Sequence, residues 1–277
     1  MTWLSLLESK FDRQVGSGSE LARQWLRSAI NGVEEKGGKY YQRAQSLFPV
    51  ELIGNILDAG CGDGEIALGF ALNGSEVVGV DADSEFIEVA RLRAQELSAE
   101  NVEFRCADLC NSKSIASAEF DLVLSIDVIE HVNDASEYLA ALRNRLRPAG
   151  RIWLFTPNRF AAANILADPH YKLAGLTLIP NSWAAVYATK WRRRVRLYEV
   201  AQLYTFHSLK KLANSCGLDI SFQASSFWTD ALNKRKWLKL LNDLPIVGPG
   251  LFSIYQYRLP TIEAILSHRT LNGAASG

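Results

Sequence analysis

The chain has 277 residues, of which 48% are apolar and 22% charged, a composition that suits one large α/β domain with insertions or a domain plus an appendage. Thirty lysines and arginines balance thirty aspartates and glutamates, so no global field points to nucleic acid as a partner. The four cysteines form no CxxC pair and read as reduced, mostly buried thiols of a cytosolic protein, and no apolar run is long enough for an ordinary spanning helix.

The first residues, "MTWLSLLESKFDRQ", lack a basic leader and carry acids, which argues against a secretory signal. Residues 1–48 are predicted to be an N-terminal helical extension, its helices broken near "GSGS" (16–19) and "KGGKYY" (36–41). An alternation follows over 49–277. "NILDAG" (55–60), "EVVGVD" (76–81), "VEFRCAD" (102–108), "FDLVLSID" (120–127) and "RIWLFTP" (151–157) read as strands. "EIALGFALN" (65–73) reads as a helix. Ser84 is placed to cap the next, where Ile87, Ala90, Ala94 and Leu97 share a face. Asp134 is placed to cap a third helix, with Glu137 three residues on and Tyr138, Leu142 and Leu146 inward. Residues 158–204 break the rhythm and read as an insertion over the substrate. A helix at 207–217 ending on Gly217 leads to strands at 218–223 and 260–268, with a second insertion at 228–258. Such alternation argues a parallel sheet covered on both faces, with ligands at the strands' carboxyl edge.

The stretch "ILDAGCGDG" (56–64) sets glycines at 60, 62 and 64, where a ligand can approach backbone N–H groups at a helix start. A dinucleotide fingerprint would need a small residue at position 65, where Glu65 would repel a pyrophosphate. That spacing, with Asp58, favours a ligand bearing an ammonium and a carboxylate. Asp81 closes the second strand, placed for both hydroxyls of a ribose, and Asp108 ends the third, placed for an adenine amino group.

Taken in order, "ILDAGCGDG", "VVGVDAD", "FRCADL", "FDLVLSIDVIEHV" and "LRPAGRIWLFTPNR" resemble the class I S-adenosylmethionine-dependent methyltransferases, over roughly residues 40–225. The resemblance implies a Rossmann-like, doubly wound α/β sheet of seven strands, six parallel and the last antiparallel. It implies S-adenosylmethionine as cofactor, with Asp58, Ala59, Gly60, Cys61 and Gly62 near the methionine part, Asp81 and Ala82 at the ribose, Asp108 and Leu109 at the adenine, and Ile126 beside them.

"SIDVIEHV" places Asp127, Glu130 and His131 just past the fourth strand. The pattern D-x-x-E-H resembles the E-x-x-E-H metal-binding motif of the ubiquinone-biosynthesis O-methyltransferases, departing at Asp127, one methylene shorter than glutamate. Two readings stay open: a divalent ion on Asp127, Glu130 and His131, or a pair shaping the pocket floor, the second favoured. His131, with Asp168 and His170 of "DPHY", makes up the catalytic set, Asp168 being placed to orient His170. "TPNR" (156–159) resembles the ubiquinone branch and implies a hydroxyl of a small-molecule or lipid-like metabolite as acceptor. Nitrogen or carbon acceptors and a non-catalytic cofactor-binding module are the alternatives. An oxidoreductase is disfavoured by Glu65, and nucleic-acid methylation by the missing N/D-P-P-aromatic motif. "KWRRRVR" (190–196) holds five cations and reads either as a solvated face or as a site for an anionic substrate or membrane head groups; the last would, with the apolar stretch 237–257, make a peripheral membrane surface of a cytoplasmic protein. For 237–257 a cap over the substrate is slightly favoured.

Overall fold

The computed structural model describes residues 2–111, 120–223 and 258–269. The stretch 237–257, and nearly all of the predicted insertion at 228–258, lie outside them.

Seven strands form one sheet: β1 (Asn55–Ala59), β2 (Glu76–Asp81), β3 (Val102–Cys106), β4 (Phe120–Ile126), β5 (Leu146–Pro157), β6 (Leu218–Phe222) and β7 (Thr261–His268), in the order β3-β2-β1-β4-β5-β7-β6. β1 to β5 pair in parallel, and β7 runs antiparallel to both β5 and β6. The expected Rossmann-like architecture is therefore present. β5 starts five residues before its predicted beginning, because Leu146 turns into the sheet and pairs with Phe120. The order reverses between β1 and β4, which opens a crevice at their carboxyl ends.

The parallel strands are bought by crossovers: α4 (Glu65–Ala71), α5 (Ser84–Glu96) and α6 (Ala135–Arg145), with α9 (Phe206–Ser215) ahead of β6. Buried Leu57, Val123, Ile152 and Leu154 meet Leu139, Leu142 and Leu209 on one face of the sheet. On the other, Ile56, Leu122 and Trp153 meet Ile66 and Phe70. Asp134 caps α6 as expected, accepting from the N–H groups of Ser136 and Glu137. α5 corrects the sequence reading. Asp83, not Ser84, is its cap, and Leu97 is exposed beyond the last turn while Ile87 and Ala90 are buried.

The N-terminal segment forms α1 (Trp3–Val15), α2 (Glu20–Ile30) and α3 (Gly38–Leu47). The break at 16–19 is present, but "KGGKYY" breaks nothing: a π-helical turn over Val33–Gly37 runs straight into α3. The glycines serve a close crossing instead. A Cβ on Gly37 would stand 2.4 Å from the Glu65 carbonyl oxygen and 2.9 Å from the Gly69 Cα, so only bare backbone lets the two helices meet. α3 is tied to the sheet by Arg43, whose guanidinium meets buried Glu263 of β7 at 3.1 Å, while the Trp153 indole donates to the same carboxylate.

The 158–204 insertion carries α7 (Ala162–Leu166) and α8 (Asn181–Val186). Its Tyr171, Leu176, Ala184 and Ala188 share a small core with Val15, Leu21 and Ala22 of the N-terminal helices. Two segments read separately along the chain thus fold as one cover.

Candidate active site

A cavity of about 480 Å³ opens at the carboxyl ends of β1 to β4, within the size range of small-molecule sites. Gly60, Gly62, Asp81, Ala82, Asp108 and Leu109 line it, as does Asp127 beside His131. Gly60 has φ 83°, and a Cβ there would strike Val128 at 2.5 Å, so position 60 requires glycine on both counts. Gly62 has open space where a Cβ would be, a bare floor for a ligand. The loop N–H groups are not free donors, which corrects the sequence reading. Gly60 and Cys61 both donate to the Val80 carbonyl, and Gly62 donates to Asp81 Oδ2 at 2.9 Å. The loop supplies shape.

Four expected cofactor residues do not line the cavity. Ala59 and Ile126 are strand residues whose side chains alternate into the core, and the Cys61 sulfur packs toward Gly79 and Phe104. Burial pushes the Cys61 thiol well above its ordinary range, in keeping with its expected packing role. Asp58 is buried, and its Oδ2 has no hydrogen-bond partner. Burial pushes its carboxyl up to about 7, against the nearby Lys36 charge.

Asp81 is preset. Its Oδ1 accepts from the Asp83 N–H at 2.8 Å and its Oδ2 from Gly62, although burial raises its carboxyl above the ordinary range. Asp108 accepts from the Cys110 N–H and the Asn111 amide, which fixes it at the cavity rim and holds its carboxyl low. Asp127 has φ 57°, a left-handed conformation uncommon outside glycine and often found at functional sites. The surrounding protein pushes its carboxyl up, opposed by Lys36 and His131.

Sequence reasoning missed Lys36. The π-helical turn carries it to the glycine loop, with Nζ 3.5 Å from Glu65 Oε2. Nearly half of its side chain remains reachable by solvent. Desolvation works against its charge, but Glu65, Asp127 and Asp63 outweigh it and raise its pKa. One lysine among thirty cations gives no local signal of this role. Phe86, Tyr138 and Glu199 also line the cavity unanticipated.

His131 Nδ1 lies 3.0 Å from the Glu199 carbonyl oxygen, which can only accept. Nδ1 therefore carries a proton and donates to that carbonyl. Asp168 does not orient His170. Its carboxylate accepts from the backbone N–H groups of His170, Tyr171 and Leu173, so it builds the loop. The His170 ring faces Glu130, with Nε2 3.7 Å from Oε1, and meets the His131 ring edge-on at 4.9 Å between centroids. Burial lowers His170 to about 3 and pushes Glu130 up to about 8. Donor atoms of Glu130, His131 and His170 lie within 4.8 Å of one another, whereas Asp127, expected among metal ligands, stands outside that group on the cavity wall.

A family model described as a methyltransferase domain matches residues 57–154, the span that builds this cavity. That span is similar to the S-adenosylmethionine-dependent methyltransferases. Among the proteins similar to this chain is the ubiquinone biosynthesis O-methyltransferase of Paracidovorax citrulli, 30% identical over 151 residues, covering 54% of this chain and 63% of that one. The Chelativorans protein of the same name is 32% identical over 163 residues, 59% of this chain and 58% of that one. The chain thus matches less than two thirds of the length of either relative. A Clostridium acetobutylicum S-adenosylmethionine-dependent methyltransferase superposes with a TM-score of 0.54 at 11% identity, covering 86% of this chain and 92% of that one. The magnesium protoporphyrin IX methyltransferase of Synechocystis, solved with S-adenosylhomocysteine, gives 0.51 at 16% identity, covering 95% and 93%. At those identities the likeness is one of fold.

The cavity's residues fit the family's cofactor. Asp81 and Asp108 give it preset carboxylate acceptors for a nucleoside, and the bare Gly62 floor admits close approach.

Proposed function

We propose that this methyltransferase moves a methyl group from S-adenosylmethionine to a hydroxyl of a small-molecule or lipid-like acceptor, with the N-terminal helices (1–48) and the 158–204 insertion covering a catalytic unit formed by 49–277. The placement of Asp127 beside His131 on the cavity wall, with Nδ1 of the histidine held by the Glu199 carbonyl, carries the reading. When bound, the cofactor supplies a sulfonium-linked methyl group that an acceptor oxygen displaces in line. The chain's residues then have two tasks, holding the reactants and removing the hydroxyl proton. Asp81 accepts from the ribose hydroxyls and Asp108 from the adenine amino group. The hydroxyl proton leaves to the Asp127–His131 pair. A kcat lowered at least a hundredfold in His131→Ala, with cofactor affinity kept, supports this role; unchanged kcat overturns it.

The lipid-like side of the reading rests on the insertion's surface. Leu166, Leu178, Trp183 and Trp191 are exposed there, and Lys190, Arg192 and Arg193 are exposed beside them. Val195 is buried and Arg194 donates to the Tyr171 carbonyl, so the basic run is only partly free. Exposed tryptophans flanked by cations suit an anionic bilayer surface. No helix among the described residues is long and apolar enough to cross a membrane. Sedimentation with phosphatidylglycerol vesicles but not with phosphatidylcholine, weakened in a Trp183→Ala/Trp191→Ala variant, is expected; equal recovery with both lipids counts against it.

A further inference from the structure

Tyr171 closes the "DPHY" stretch of the insertion and is 3% exposed, so its hydroxyl needs a partner inside the protein. Its backbone is fastened on both sides: the N–H donates to Asp168 Oδ1 at 2.9 Å, and the carbonyl accepts from Arg194 Nε at 3.1 Å. Its ring packs against His170 and Tyr198, at 6.0 and 5.4 Å between centroids. With backbone and ring both set, the hydroxyl reaches a fixed point, where it accepts from the Glu199 N–H at 3.0 Å.

Glu199 is held from its other side as well. The N–H groups of Ala201 and Gln202 both donate to the Glu130 carbonyl, at 2.7 and 3.0 Å, and the Ala201 carbonyl accepts from the Asn181 amide. Val200 between them is buried, and the Gln14 amide of α1 donates to Glu199 Oε1 at 3.4 Å. Pinned in this way, Glu199 presents its carbonyl to His131 Nδ1. A carbonyl on an unfastened loop would turn to water as readily as to an imidazole.

We infer that Tyr171 is a positioning residue for His131: its hydroxyl seats Glu199 so that the Glu199 carbonyl keeps a proton on Nδ1 of the histidine, and Nε2 is the nitrogen left to take a proton from the acceptor. A neutral imidazole carries one N–H, and the hydrogen bond made by one ring nitrogen decides the state of the other. In the opposite tautomer Nε2 would already be protonated and could take nothing, which is how a histidine base fails when the group that orients it is altered. Tyr171 and Glu199 belong to the insertion and His131 follows β4, so the base is set only when the cover is seated on the sheet. The inference rests on the proposed proton transfer for its consequence, but the tautomer itself is measured without cofactor or acceptor.

The test reads the ring nitrogens of the full-length chain, made with ¹⁵N-labelled histidine, by long-range proton–nitrogen correlation at alkaline pH, where the rings are neutral. The chain has four histidines, and the pattern missing from His131→Gln is that of His131. The wild type should show the Nδ1–H tautomer. Tyr171→Phe, which keeps the ring and removes only the hydroxyl, should show a mixture in which the Nε2–H form reaches about half. Its S-adenosylmethionine affinity should stay that of the wild type, since Tyr171 does not line the cavity. An Nε2–H pattern in the wild type overturns the inference whether or not the variant folds. So does a Tyr171→Phe protein that is folded by circular dichroism and keeps the wild-type pattern, even with a lowered urea midpoint, because the hydroxyl then serves stability alone. If the tautomer responds to Tyr171 and no hydroxyl is methylated, the positioning stands and the O-methylation reading falls.

Discussion

The Lys10 ammonium, buried under α1, lies 2.5 Å from the Asp83 carboxylate at the start of α5. It also stands 4.3 Å from the centre of the Phe86 ring, a wall of the cofactor cavity. Asp83 in turn donates its N–H to Asp81. A single lysine thus connects the N-terminal helices to the carboxylate placed for the ribose. Burial raises the Asp83 carboxyl, but the hydrogen bond and charge of Lys10 outweigh it and hold the group below its ordinary range.

Lys10→Ala should cost about 2 kcal/mol of stability at neutral pH, the scale of a lost charge-assisted hydrogen bond plus a cation over an aromatic ring. A depressed aspartate stabilises the fold above its unfolded pKa, and that contribution is lost as pH falls through the folded value. The gap between wild type and variant in urea midpoint should therefore shrink below about pH 3.9. A gap constant down to pH 2 would show that Lys10 acts through packing alone.

Asp81→Ala should weaken S-adenosylmethionine binding by roughly 1.5–3 kcal/mol, read by calorimetry. The variant also frees the Gly62 N–H and the Asp83 N–H, which now share that carboxylate. Asp81→Asn, which keeps one acceptor oxygen, should lie between the two proteins.

Glu65 gives a prediction of opposite sign. Burial and the neighbouring Asp63 charge push its carboxyl up to about 7, against the pull of Lys36. A carboxyl raised on folding holds its proton more tightly in the folded chain. Its support is complete below the unfolded value, about 4.3, and is lost as pH rises through about 7. The wild type should therefore lose up to about 3 kcal/mol between pH 5 and pH 8 that Glu65→Gln does not lose, measured by urea denaturation of both at each pH.

Asp168→Ala should loosen the insertion rather than change the chemistry. Three buried or half-buried N–H groups would lose their acceptor, at about 2 kcal/mol or more. Amide exchange within 158–204 should speed up, while the pH profile of kcat keeps its midpoint. A displaced midpoint would return Asp168 to the catalytic set.

The sequence by itself determined the sheet and the place of the site. Strand and helix periods, the glycine loop and the acids closing β2 and β3 are local features, and seven strands formed where those patterns lay. It also held Asp134 as the cap of α6 and Gly217, at φ 73°, just past the end of α9. Tertiary structure alone decided which distant groups meet. His170 comes to Glu130 across forty residues, and Lys36 reaches Glu65 because two glycine backbones let their helices touch. Asp168, two residues from His170 in the chain, has its carboxylate engaged by backbone donors instead. The physical reason is one of range: backbone conformation follows from neighbouring residues, whereas the partner of a buried charge is whichever group packing brings within a few ångströms of it.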